Sequence, residues 1–237
     1  MKRTICLILT TALALCVATS AFAKPDVTEF RNKDFNMESI KTVLVLPVFY
    51  DVQLPQSEAF LTEAVQQKWS DMTKGRQDKL PYLVKTPKEI VERDAYVKGV
   101  PAVPMSPQQA AEKALVLASE YVDGLLMCTV TKAGTAEVQH PGEYVTRYRY
   151  EDVPVWRNDR WEKDRISIPY QEYKAPWTES FTQGGVKIEL RSAKDNSLVY
   201  GNSVVASTGE GLFTEAPPLS KHIQNVVENA AKRLPVK

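Results

Sequence analysis

Residue types able to do chemistry are scarce in this chain. Only two of the 237 residues are histidine, His140 and His222. His140 precedes Pro141-Gly142, a turn pair, and His222 falls between Leu219 and Ile223 in an apolar-periodic stretch near the C-terminus. A zinc site needs further His, Cys or carboxylate ligands at helix or strand spacing, and neither histidine has one. Both are expected at the surface or on a helix flank, with no metal. Cys128 sits inside the apolar run Leu125-Leu126-Met127-Cys128-Thr129-Val130. A thiol there behaves as a small hydrophobe, whereas a nucleophile needs exposure and a neighbouring base. Gly201-Asn202-Ser203-Val204-Val205 lacks the last glycine of a nucleophile elbow. Thr208-Gly209-Glu210-Gly211 lacks the Lys-Ser/Thr that holds a phosphate. Carboxylates do occur close together, Glu151 with Asp152 and Glu162 with Asp164. They are what a secreted hydrolase of cell-wall or carbohydrate polymers would use as acid and base. That is the alternative reading; the leading one assigns no catalytic residue and no cofactor, and expects a protein that is not an enzyme.

The unusual segment runs from Tyr144 to Trp177. It holds Tyr144, Tyr148, Tyr150, Trp156, Trp161, Tyr170, Tyr173 and Trp177, with three of the four tryptophans of the chain. Arg147, Arg149, Arg157, Arg160, Lys163 and Arg165 are interleaved with them. Aromatic faces beside arginine forks recognise partner proteins, peptides or sugars, so these eight aromatics are the candidate partner-binding residues. The plainer account is a long hairpin whose cross-strand aromatic pairs each contribute about 0.2–1 kcal/mol.

These residues need a scaffold, and the sequence outlines one. Thr42 to Val48 is a continuous β-rich run, as expected of a strand covered on both faces. Phe60, Leu61, Ala64, Val65, Trp69 and Met72 recur at three- and four-residue steps and predict an amphipathic helix ending near Gly75. Tyr82-Leu83-Val84 is a short strand. Thr86-Pro87-Lys88-Glu89 and Ser106-Pro107-Gln108-Gln109 each combine a capping side chain, a proline at the first helical position and a capping-box partner. Leu125 to Val130 is another buried strand. Glu143 to Tyr150 alternates, with Tyr144, Thr146, Tyr148 and Tyr150 on one face. Gly185–Leu190 and Leu198–Tyr200 form a hairpin across Ala193–Asn196, and Leu219 to Leu234 carries the face of a final helix. The fold class expected is α/β: a single-domain mixed sheet flanked by helices, with a C-terminal antiparallel hairpin portion.

The N-terminus reads as a secretory signal peptide over residues 1–23. Lys2-Arg3 precede an apolar run from Ile5 to Ala18, and Ala21 and Ala23 occupy the small positions of a cleavage site. A chain so processed is exported, periplasmic or extracellular. Cys16 follows Leu15 where lipoprotein processing wants a small residue, so lipidation is not expected. Residues 24–40 read as an arm or short edge segment, and 41–237 as one domain with the aromatic insertion at about 144–177. Cleavage leaves Cys128 alone, so the core must hold the fold without a disulfide. No second apolar run is long enough for a transmembrane helix. The formal net charge of +1 offers no field for nucleic acid.

Lys41-Thr42-Val43-Leu44-Val45-Leu46-Pro47, Tyr121-Val122-Asp123-Gly124-Leu125-Leu126 and the hairpin Val186–Leu190 to Leu198–Tyr200 together resemble a group of bacterial envelope proteins. The group includes the curli secretion lipoprotein, the amino-terminal domain of the Tol propeller protein and the lipoprotein activators of peptidoglycan synthases. The resemblance implies an anticodon-binding-domain-like α/β sandwich and an accessory role in envelope assembly or transport. The partner expected is another envelope protein or a cell-wall component, and an oligomer is left open. Many members are lipidated, and the aromatic segment replaces a shorter connection, so no individual partner carries over.

Overall fold

The computed structural model describes residues 25–54, 60–209 and 216–236, so the signal-peptide reading lies outside the described residues. The run expected as a doubly covered strand is β2 (Thr42–Tyr50). Val43, Val45 and Val48 face one core while Leu44 and Leu46 face another, which is why its sequence does not alternate. β2 pairs in parallel with β3 (Leu83–Lys85) on one side and β4 (Gly124–His140) on the other. Its register with β4 shifts between Val45 and Val48, and this lets Val48 follow Val45 into the same core. Asp123 ties the start of β2 to that of β4, its Oδ2 accepting from the N–H groups of Lys41 (2.9 Å) and Thr42 (3.0 Å).

The six-stranded mixed sheet runs β1-β8-β7-β4-β2-β3. β1 (Asp26–Arg31) is an antiparallel edge strand on β8 (Leu198–Gly209), which gives the expected arm a definite place. β7 (Trp177–Ser192) and β8 form the expected hairpin, with Asn196 at φ 57 in its turn, but both strands are longer than the sequence suggests. A separate two-stranded sheet consists of β5 (Glu143–Arg157) and β6 (Arg160–Lys174).

Helices α1 (Leu61–Lys74) and α4 (Leu219–Lys232) pack together on one face of the sheet. Leu61, Val65 and Trp69 of α1 join Ile223, Val226 and Val227 of α4 in the larger core. Phe60, expected inward, is 81 % exposed because the helix begins one residue later. α2 (Pro87–Val97) and α3 (Pro107–Tyr121) cover the other face, where Ile90, Val91, Ala114 and Ala118 meet Leu44 and Leu46. Both open with the expected capping boxes, Thr86 with Glu89 and Ser106 with Gln109. The arrangement is the mixed α/β fold with a final helix that the sequence implies.

His222 corrects the surface expectation. It is buried, its Nε2 lying 3.1 Å from the Ala206 carbonyl and its Nδ1 3.4 Å from Thr208 Oγ1. A Cβ at Gly184 would fall 2.8 Å from Ile223 Cδ1 and 3.0 Å from His222 Cδ2, so glycine there is what admits the helix. Cys128 is fully buried, and burial pushes its thiol well above the usual range. The chain divides into two compact units, one of residues up to Ala136 with Phe181 onward, the other Glu137–Ser180.

Candidate functional site

The aromatic segment folds as a ribbon. Asn158 and Asp159 have φ of 50° and 58°, the pair of left-handed residues that makes a two-residue turn of the twist-matched type. That turn sets Arg157 opposite Arg160 and fixes every pair beyond it, down to Glu143 opposite Lys174. Residues flanking such a turn form a hydrogen-bonded pair, so Trp156 and Trp161 form a non-hydrogen-bonded one, where side chains stand closer. The same alternate set contains Pro154 opposite Lys163 and Pro169 opposite Tyr148, positions where no ladder donor is required.

One face of the ribbon therefore carries Tyr144, Tyr148, Tyr150 and Trp156 from β5 with Trp161 and Tyr173 from β6. All six are exposed, from 54 % at Trp156 to 73 % at Tyr144. The Tyr144 and Tyr173 rings lie 5.1 Å apart, and Trp156 meets Trp161 edge-on at 5.3 Å. Asp152, Lys163 and Arg165 share this face between them, with the Arg165 guanidinium 5.4 Å from the Tyr150 ring centre.

The other two aromatic candidates do not join this surface. Tyr170, opposite Arg147, falls on the reverse face. Trp177 lies in β7, where His140 stacks on it at 4.1 Å and 9° between planes, and Lys174 Nζ sits 4.9 Å from its ring centre. His140 thus ends β4 half-buried between partners, and its Nε2 also lies 3.0 Å from Glu179 Oε2. Nothing in the spacing of His140, Lys174 and Glu179 signals this cluster, because a strand end and a later strand bring it together.

The arginines separate as well. Arg147 pairs with Glu172 at 2.8 Å, Arg149 with Glu151 at 3.0 Å, Arg157 with Asp164 at 2.9 Å and Arg160 with Glu162 at 2.6 Å, all on the reverse face. Such exposed pairs hold geometry more than they add stability, each about 0–1 kcal/mol. The structure therefore splits the expected mixture of aromatic and arginine groups into an aromatic face and an ion-paired face. Glu162 and Asp164, the residues of the hydrolase alternative, are engaged on the latter. Among the described residues no group of three His, Cys, Asp or Glu is placed to hold a metal. No helix of the described residues is long and apolar enough to cross a membrane.

No family model and no curated protein matches the chain. Among solved structures it is similar to a PelC dodecamer from Paraburkholderia phytofirmans, at 10 % identity over 90 % of this chain and 99 % of that one, with a TM-score of 0.41. It is also similar to lipoprotein GNA1162 from Neisseria meningitidis, at 16 % identity, 80 % and 96 % coverage and a TM-score of 0.34. The hypothetical protein CT253 from Chlamydia trachomatis gives 12 % identity, 82 % and 91 % coverage and a TM-score of 0.36. Likenesses this distant leave the functional reading to the residues of the chain itself.

Proposed function

We propose that this is an exported, non-enzymatic accessory protein of the bacterial envelope that binds another envelope protein through the aromatic face of the β5–β6 ribbon. The observation carrying the proposal is the row of six exposed aromatics on one face, at positions fixed by a turn rather than by a core. Aromatic side chains gathered on one surface are the usual anchors of protein interfaces. A two-stranded ribbon is marginal by itself in water, so a docked partner would also stabilise it. The export half of the reading rests on the tripartite pattern of residues 1–23.

The test is affinity capture from an envelope extract with three forms of the processed chain. The unaltered chain is expected to recover one specific protein, and Tyr170→Ala, altered on the reverse face, the same protein. Trp156→Ala/Trp161→Ala is expected to lose it while staying folded, its melting temperature lowered only by the loss of one cross-strand pair, about 0.2–1 kcal/mol. Equal recovery by all three forms would overturn the assignment to the aromatic face.

A further inference from the structure

The sheet order turns at β2. From β2 the chain passes through α1 to β3 on one side, and from β3 through α2 and α3 to β4 on the other. Because α1 lies on one face and α2 and α3 on the opposite one, the crossovers part and leave a crevice outside the carboxyl end of β2. Open α/β sheets bind their ligands at such switch points. Here the open crevice has a volume of about 1260 Å³. This exceeds the roughly 300–1,000 Å³ of small-molecule pockets.

Its floor is a strand edge. β3 pairs only with Thr42, Val43 and Leu44, and among the described residues no strand continues along that edge to Tyr50. Side chains of α1 hold the ladder groups instead. Gln66 Oε1 accepts from the Val48 N–H at 2.8 Å, and Trp69 Nε1 donates to the Leu46 carbonyl at 3.1 Å. The chain cannot fill the slot with β3, because Thr86-Pro87 turns it into α2 immediately after Lys85.

We propose that this crevice accepts an extended segment of a partner polypeptide, added to β2 as a strand that continues the line of the β2–β3 ladder. Its carbonyl takes the Val48 N–H from Gln66, whose side chain swings aside, and one of its own N–H groups donates to the Val48 carbonyl, which a strand turns to the same edge. Side chains of an added strand alternate between the two walls. The α3 wall carries the apolar Ala110, Ala111 and Leu115, flanked by Gln108 and Glu112, and would take the apolar side chains of the strand. The α1 wall presents Glu63, Gln66 and Ser70, with Lys74 at its far end, so the other set is polar, with a basic group placed at the Glu63 end. The occupant is thus a strand of alternating apolar and polar or basic residues. A compact apolar molecule would need neither the strand edge nor the alternation.

The probe is a fluorescent synthetic peptide alternating leucine with lysine, titrated with the processed chain by anisotropy. Saturable binding is expected. The same peptide methylated at alternate backbone nitrogens keeps its side chains and loses its ladder donors, and should bind roughly tenfold or more weakly. Ala111→Trp fills the α3 wall and Glu63→Lys reverses the charge of the other; each should weaken binding by a similar factor. Trp156→Ala/Trp161→Ala should bind the peptide normally, which separates this crevice from the ribbon face. The absence of saturable binding would overturn the inference, as would equal binding of the methylated peptide, which marks a plain apolar pocket. Unchanged affinity in both Ala111→Trp and Glu63→Lys would do the same.

Discussion

Trp69 is the most demanding side chain of the core, and replacing it with phenylalanine tests how β2 is held. Trp69 is fully buried, and its indole N–H donates to the Leu46 carbonyl at 3.1 Å. That carbonyl lies beyond the end of β3 and within the register shift against β4, so the indole stands in for a strand. Phenylalanine removes the donor and leaves a buried carbonyl unpaired, a loss of about 1–3 kcal/mol. The smaller ring also opens a void costing about 1 kcal/mol. Together these give about 2–4 kcal/mol. At about 2–4 °C per kcal/mol for a chain of this size, the melting temperature should fall by about 4–16 °C. Circular dichroism of both forms measures it. Trp156→Phe is the control, since that exposed ring should change stability by no more than about 0.5 kcal/mol. A loss below about 1 kcal/mol for Trp69→Phe would refute the reasoning, because the Leu46 carbonyl would then have another partner.

Three further outcomes are expected. The Glu228 carboxyl sits at about 2, held down by hydrogen bonds from Lys232 and Lys68 together with their charge. A depressed carboxyl stabilises the fold above its unfolded value and loses that contribution as pH falls, so the deficit of Glu228→Gln at neutral pH should shrink between about pH 5 and 2 in urea titrations. Thr86→Ala and Ser106→Ala each remove a capping side chain and should each lower the unfolding free energy by about 1 kcal/mol in the same assay. Cys128, buried and with its thiol pushed up, should resist a thiol-disulfide reagent in the folded chain and react fully once urea unfolds it.

Much of the scaffold can be read from residue order because its signals are local. The unbroken apolar run of β2 reflects two cores, and the Thr86 and Ser106 devices mark helix starts from four residues each. Signals that depend on distant pairing were silent. His222 is buried because Ala206, Thr208 and Gly184 reach it from two strands. The ribbon face is an intermediate case. Alternation along β5 places its tyrosines together, but nothing along β6 shows which of Trp161, Tyr170 and Tyr173 share their side. A two-residue turn pairs even-numbered positions with odd-numbered ones, and only this sends Tyr170 to the reverse face. The cue was present as Asn158-Asp159, a pair suited to left-handed backbone.

Pro154 and Pro169, one on each strand of the ribbon, have a consequence for how this protein meets others. Each deletes a donor from an outer margin, so neither margin offers an uninterrupted template along which further chains could stack into fibrils. Contact at the ribbon is thereby channelled to its side chains, which discriminate among neighbours, and away from its main-chain amides, which do not.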